Sequence, residues 1–147
     1  MLESTTSLVF PDINVWLALT YERHVHHVVA HDWFDDEPDA RRYFCRFTQL
    51  GLLRLLSTVA VMRGEVMTQV EAWRTYDHWL GDDRVAFLEE PVGVEGRFRL
   101  ETRLRHPAPK DWADSYLVAF AAAADLTIVT FDRALRAKAR SAVLLGE

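Results

Sequence analysis

Residues 7–19 read Ser7-Leu8-Val9-Phe10-Pro11-Asp12-Ile13-Asn14-Val15-Trp16-Leu17-Ala18-Leu19. The short apolar run Ser7–Phe10, ended by Pro11, reads as a buried strand. Ile13 to Tyr21 reads as a short helix directly behind it. The same alternation continues outward along the chain. Helices are expected over Val25–Phe34, Thr48–Ser57, Thr68–Leu80 (with Thr68 as N-cap), Glu95–Arg105, Trp112–Ala124 and Asp132–Ala139. Strands are expected over Arg42–Cys45, Val85–Leu88, Leu126–Thr130 and Val143–Leu145. Strands that alternate with helices imply a parallel sheet covered on both faces, the α/β class. Sites in such sheets form outside the carboxyl ends of the strands. The residues just after each strand therefore matter most, and Asp12 is the first of them.

The chain has 147 residues, half of them apolar, with 12% aromatic and 27% charged residues, which suits one domain with a real core. No internal repeat or low-complexity tract is visible. Seventeen basic against 22 acidic residues give a net charge of −5, which argues against a general basic coat for nucleic acid or anionic lipid. Cys45 is the one cysteine, so neither an intrachain disulfide nor a Cys-x-x-Cys metal site can form. A reducing, cytoplasmic setting fits that usage. The N-terminal residues show no signal-peptide pattern. The longest apolar stretches, such as Val118–Ala124, fall far short of the roughly 20 residues of a membrane span.

Asp12 and Asp132 each follow a strand by two residues. Each is placed to cap the helix it precedes, and each also stands at the carboxyl edge of the sheet. Asp114 lies on the Trp112–Ala124 helix, where Trp112, Ala113, Tyr116, Leu117, Val118, Ala119, Phe120 and Ala121 leave only a narrow polar strip at Ser115. A carboxylate on the stripe of Leu117, Val118 and Ala121 is costly unless paired, protonated or bound to a metal. Three acids drawn together by the sheet cannot stay ionised without a cation. Hard oxygen ligands of this kind suit Mg²⁺, with Mn²⁺ as a substitute. Such an ion activates water and stabilises charge on a phosphodiester.

The runs Phe10–Leu19, Phe44–Leu56, Trp112–Leu117 and Thr130–Leu135, in this order and over almost the whole chain, resemble the PIN-domain ribonucleases. In particular the chain looks like a VapC-type toxin of a bacterial toxin–antitoxin pair. The resemblance implies a single PIN-like three-layer α/β/α domain with a mostly parallel central sheet. It also implies a metal-dependent endoribonuclease acting on RNA, a homodimer, and inhibition by a cognate VapB-type antitoxin. By the same matching, Asp12, Asp114 and Asp132 fall on three of the family's four acidic positions. The fourth departs from the pattern: Gln49 stands where the family usually has Glu. Its stripe with Leu52, Leu53 and Leu56 turns it inward. An amide oxygen can ligate weakly or orient a water, but it carries no charge and cannot act as a general base. Asp111, one helical turn before Asp114, is either a compensating acid or a helix N-cap. The resemblance makes Asn14 a partner of Asp12, against plain bonding to the backbone at the helix start. Thr130 is either a hydroxyl partner of a site carboxylate or an ordinary strand residue.

Two further features carry alternatives. His27 and His31 have the i, i+4 spacing of a helical zinc pair; together with His24 and His26 they also fit a solvated helix start. Arg97, Arg99, Arg103, Arg105 and Lys110 offer a track for RNA phosphates, diluted by Glu95 and Glu101. The tryptophans Trp16, Trp33, Trp73, Trp79 and Trp112 read as core and interface anchors. Two rival functions share the fold class. One is a weakened nuclease, marked by Gln49, that acts mainly by binding RNA or its antitoxin. The other is an aspartyl-phosphate phosphatase built on Asp12, which would need an acid where this chain has Asn14.

Overall fold

Val9 and Phe10 are neighbours in the chain and face opposite sides of a sheet, as the two-residue period of a strand requires. Val9 packs into a core with Val15, Trp16, Phe44, Leu52 and Val129. Phe10 packs into a second core with Leu117, Phe120, Ile128 and Leu135. The computed structural model describes residues 7–146; the start of the N-terminal stretch inspected for a signal peptide lies outside them.

The elements run β1 (Leu8–Pro11), α1 (Ile13–Thr20), α2 (His27–Asp36), β2 (Arg41–Phe44), α3 (Arg46–Leu56), α4 (Val59–Met62), α5 (Gln69–Leu80), β3 (Val85–Phe87), α6 (Val94–Glu101), α7 (Asp111–Ala124), β4 (Thr127–Thr130), α8 (Arg133–Lys138) and β5 (Ala142–Leu144), with a 3₁₀ turn at Arg63–Glu65. The five strands lie in the order β3-β2-β1-β4-β5, and every pairing is parallel. The expected α/β/α sheet is thus wholly parallel. One core gathers side chains of α1 to α5 and the other those of α6 to α8, one on each face of the sheet.

Local chemistry explains most boundaries. Thr68 caps α5: its hydroxyl accepts from the Glu71 N–H, and Glu71 in turn accepts from the Thr68 N–H. Helix α2 starts at His27, not Val25, because the preceding residues form turns closed by the bonds His24 N–H to Tyr21 and His27 N–H to His24. Helix α6 ends at Glu101, four residues short of the expected end, and the Thr102 hydroxyl turns back to the Phe98 carbonyl. The short helix α4 was not anticipated. Its four residues span too little sequence for a helical period to register.

Arg42 is fully buried in β2. Its guanidinium donates to the carbonyls of Phe34 (2.7 Å), Glu37 (2.6 Å) and Ala40 (2.5 Å) and lies over the Phe34 ring. It closes the carboxyl end of α2, where backbone carbonyls have no partner within the helix. Burial lowers its pKa to about 10, which still leaves it charged at neutral pH.

Candidate active site

The chain leaves β1 toward β2 on one side, while β4 joins β1 on the other. In a parallel sheet a crevice opens where the strand order switches in this way, outside the strand ends. Asp12 and Asp132 follow β1 and β4, the two strands that flank that point. Each carboxylate caps the helix that follows. Asp12 Oδ1 accepts the Val15 N–H at 3.0 Å, and Asp132 Oδ1 accepts those of Ala134 (2.8 Å) and Leu135 (3.3 Å). Thr130, fully buried at the end of β4, joins them. Its hydroxyl donates to Asp12 Oδ2 at 2.5 Å and accepts the Asp132 N–H at 2.9 Å.

Asp12 is only 8% exposed. Burial pushes its carboxyl from the ordinary 3.8 up to about 6; the bonds from Thr130 and Val15 oppose that rise, and the charge of Asp132 adds to it. Asp114, half-buried on α7, is also raised, by burial first and then by the charge of Asp132. Asp132 itself is exposed and is felt by both neighbours. The Asp132 charge thus raises both neighbouring carboxyls. Among the described residues, however, no three His, Cys, Asp or Glu side chains stand close enough together to hold a metal ion. Mg²⁺ takes one or two carboxylates and keeps several waters, so it does not require such a group. The donor set, hard oxygens with surplus negative charge, fits such an ion.

Gln49 is buried, and its side-chain oxygen accepts from Arg46 at 2.7 Å. Asp111 begins α7 and does not cap it; Lys110 holds the cap position. The Asp111 carboxylate is engaged by Lys138 of α8 and by the Ser115 hydroxyl at 2.9 Å, and Lys138 also reaches Ser115. The polar strip expected at Ser115 is therefore inside the fold, paired with this network. Trp112, at 57% exposure, and Ala113 are outside it. Asp114 borders a groove with Leu104, Ala108, Pro109, Lys110 and Asp111.

Asp12, Asn14 and Asp132 line a cleft of about 300 Å³ together with His24, His26 and Phe131. In the sequence His24 and His26 stand in a histidine cluster at a helix start, and nothing singles out Phe131; their approach to the carboxylates depends on contacts between residues more than a hundred positions apart. His27 and His31 act differently from His24 and His26. His27 Nδ1 lies 2.7 Å from the Ala18 carbonyl and His31 Nε2 lies 3.1 Å from that of Leu19. A carbonyl only accepts, so both nitrogens carry the proton, and the pair ties α2 to the end of α1. In the basic stretch, Arg99 pairs with Glu95 on the surface and Arg103 bonds to the Leu100 carbonyl. Trp16 is a core residue and Trp33 and Trp79 pack against that core, whereas Trp73 and Trp112 are exposed.

The PIN-domain family model matches residues 9–141, and the chain belongs to the PIN-domain family. It is 41% identical over 128 residues to the ribonuclease VapC41 of Mycobacterium tuberculosis, covering 84% of this chain and 88% of that protein. It is 29% identical over 131 residues to the ribonuclease VapC44 of the same organism, covering 84% and 85%. The fold is similar to that of Mycobacterium tuberculosis VapC20, a toxin that cleaves the sarcin-ricin loop, with a TM-score of 0.66 at 16% identity over 89% of this chain and 94% of that one. It is also similar to a chain of VapBC2 from Rickettsia felis, solved bound to a promoter DNA fragment, with a TM-score of 0.64 at 11% identity over 95% and 99%. No described helix is long and apolar enough to cross a membrane.

Proposed function

We propose that this protein is a metal-dependent endoribonuclease, the toxin of a toxin–antitoxin pair. The observation that carries the reading is Asp12 and Asp132 facing one cleft, joined through the Thr130 hydroxyl, at the switch point of a PIN-domain sheet. Asp12 and Asp114 would hold Mg²⁺ or Mn²⁺, and Asp132 would support the ion or its waters. When bound, such an ion supplies an activated water and charge stabilisation at a phosphodiester. Thr130 fixes the Asp12 carboxylate, and Asn14 at the rim of the cleft orients water beside it. Products would carry a 5′-phosphate and a 3′-hydroxyl. The surplus negative charge of the pocket also invites a basic side chain from a VapB-type antitoxin. A homodimer working in the cytoplasm completes the proposal. Cleavage of RNA with Mg²⁺ or Mn²⁺ should be lost in Asp12→Asn and Asp114→Asn. Undiminished cleavage in both variants would overturn the assignment.

The state of Gln49 favours a second reading, a weakened nuclease that acts mainly by binding RNA or antitoxin. Its amide oxygen is already taken by Arg46, and no charge is present at that position. Gln49→Glu separates the two readings. An inactive native chain that gains cleavage in the variant supports the weakened site, and equal cleavage in both supports a competent one.

A further inference from the structure

We propose that His24, His26 and Phe131 form a ring wall on which a base of single-stranded RNA stacks beside the scissile phosphate, a claim that rests on the ribonuclease reading above. The three rings line the same cleft as Asp12 and Asp132. His26 and Phe131 stack at 4.4 Å and 17°, and His24 stands 5.7 Å from His26, tilted by 43°. Phe131 lies between Thr130 and Asp132 in the chain, so a base held on this wall sits next to the proposed ion-binding carboxylates.

The wall is built before any ligand arrives. His24 Nδ1 accepts the His26 N–H at 3.0 Å, the turn is closed by the His24 and His27 backbone bonds, and His27 anchors it to Ala18. The rings are partly exposed, and Phe131 also rests against the core gathered by α1 to α5. Burial and the neighbouring imidazoles His26 and His27 lower the pKa of His24 and so favour its neutral form. Ring faces beside an acidic pocket attract a base face rather than a phosphate. Only an unstacked strand can offer that face.

The test uses a fluorescein-labelled single-stranded RNA and a ribose-phosphate strand of the same length without bases. Binding is measured with Asp12→Asn protein, alone and combined with His26→Ala or His26→Phe. Cleavage kinetics are measured for wild type, His26→Ala and His26→Phe. The His26 side chain makes no capping bond to α2, so its removal leaves the helix start intact. His26→Ala should weaken RNA binding by about fivefold to a hundredfold, the range for stacking of one base. It should raise KM more than it lowers kcat, His26→Phe should restore both, and binding of the baseless strand should not change. Equal weakening toward the baseless strand, or no rescue by Phe, overturns the stacking wall. If wild type cleaves RNA and His26→Ala matches it in KM and binding, only the wall falls. If wild type neither binds nor cleaves RNA with either metal, the ribonuclease reading fails and the wall fails with it.

Discussion

The Thr130 hydroxyl bridges two strand ends: it donates to Asp12 Oδ2 at 2.5 Å while accepting the Asp132 N–H at 2.9 Å. One buried group thus fixes the carboxylate after β1 and the backbone after β4. In Thr130→Val the side chain keeps its shape but both bonds vanish. A buried carboxylate oxygen and an amide then lose their partner, at a cost of about 1–3 kcal/mol. Activity should fall about tenfold or more, the scale seen when groups that orient metal ligands are removed. Thr130→Ser should recover most of it. Melting temperature and kcat, measured for the three proteins, check the outcome.

Asp12 makes stability depend on pH. Its folded carboxyl titrates at about 6 against an ordinary 3.8. Between those values the folded state holds a proton that the unfolded chain has released, so stability falls as pH rises from about 4 to about 6. The full penalty above that window is about 3 kcal/mol. Asp12→Asn keeps a good N-cap and removes the charge. It should be more stable than wild type at pH 7.5 and lose that advantage by pH 4. Mg²⁺ should stabilise wild type at pH 7.5 and leave the variant nearly unchanged. Denaturant unfolding at both pH values, with and without Mg²⁺, measures these differences.

Lys138 ties the end of α8 to Asp111 and Ser115 of α7. Because Asp132 caps the other end of α8, this tie helps set where that carboxylate sits relative to Asp114. Lys138→Met should cost about 1–3 kcal/mol, as for a hydrogen bond to a charged group, and should lower kcat without changing the metal required. Asp111→Asn should show the same pattern in milder form. A loss of metal affinity in Asp111→Asn alone would instead make Asp111 a direct ligand. Thermal unfolding and metal titration of activity distinguish the two.

Arg42 serves three carbonyls from inside the sheet. Lysine has one ammonium where arginine has a planar fork, so Arg42→Lys cannot reach all three. The variant should lose about 3 kcal/mol or more, since buried acceptors are left without donors. The loss should appear as a lowered melting temperature, and amides of α2 should lose hydrogen-exchange protection first.

Features decided by near neighbours were legible in the chain. The Thr68 cap with Glu71, the strand–helix alternation, and the place of Asp12 and Asp132 just past their strands all depend on a few adjacent residues. Strand β1 runs one residue further than expected, through Pro11, so Asp12 follows it directly and Asp132 stands two residues past β4. On α7 the expected apolar burial holds from Leu117 to Ala121, but a helical wheel sorts Trp112 and Ser115 by type alone and puts those two the wrong way round. Ser115 is buried through Asp111 and Lys138, and Lys138 belongs to another helix. The roles of the histidines were equally hidden, since His26 meets Phe131 only after β1 and β4 have paired.

The sequence by itself determined the class of the fold, the family resemblance and which carboxylates stand at strand ends, because periodicity, capping and spacing act over one or two turns of chain. Only the tertiary structure decided the strand order β3-β2-β1-β4-β5, the bridge through Thr130, the burial that raises Asp12 and the ring wall beside it. Those features join residues far apart in the chain, and their geometry is set by how two cores close over a common sheet, which no local pattern encodes.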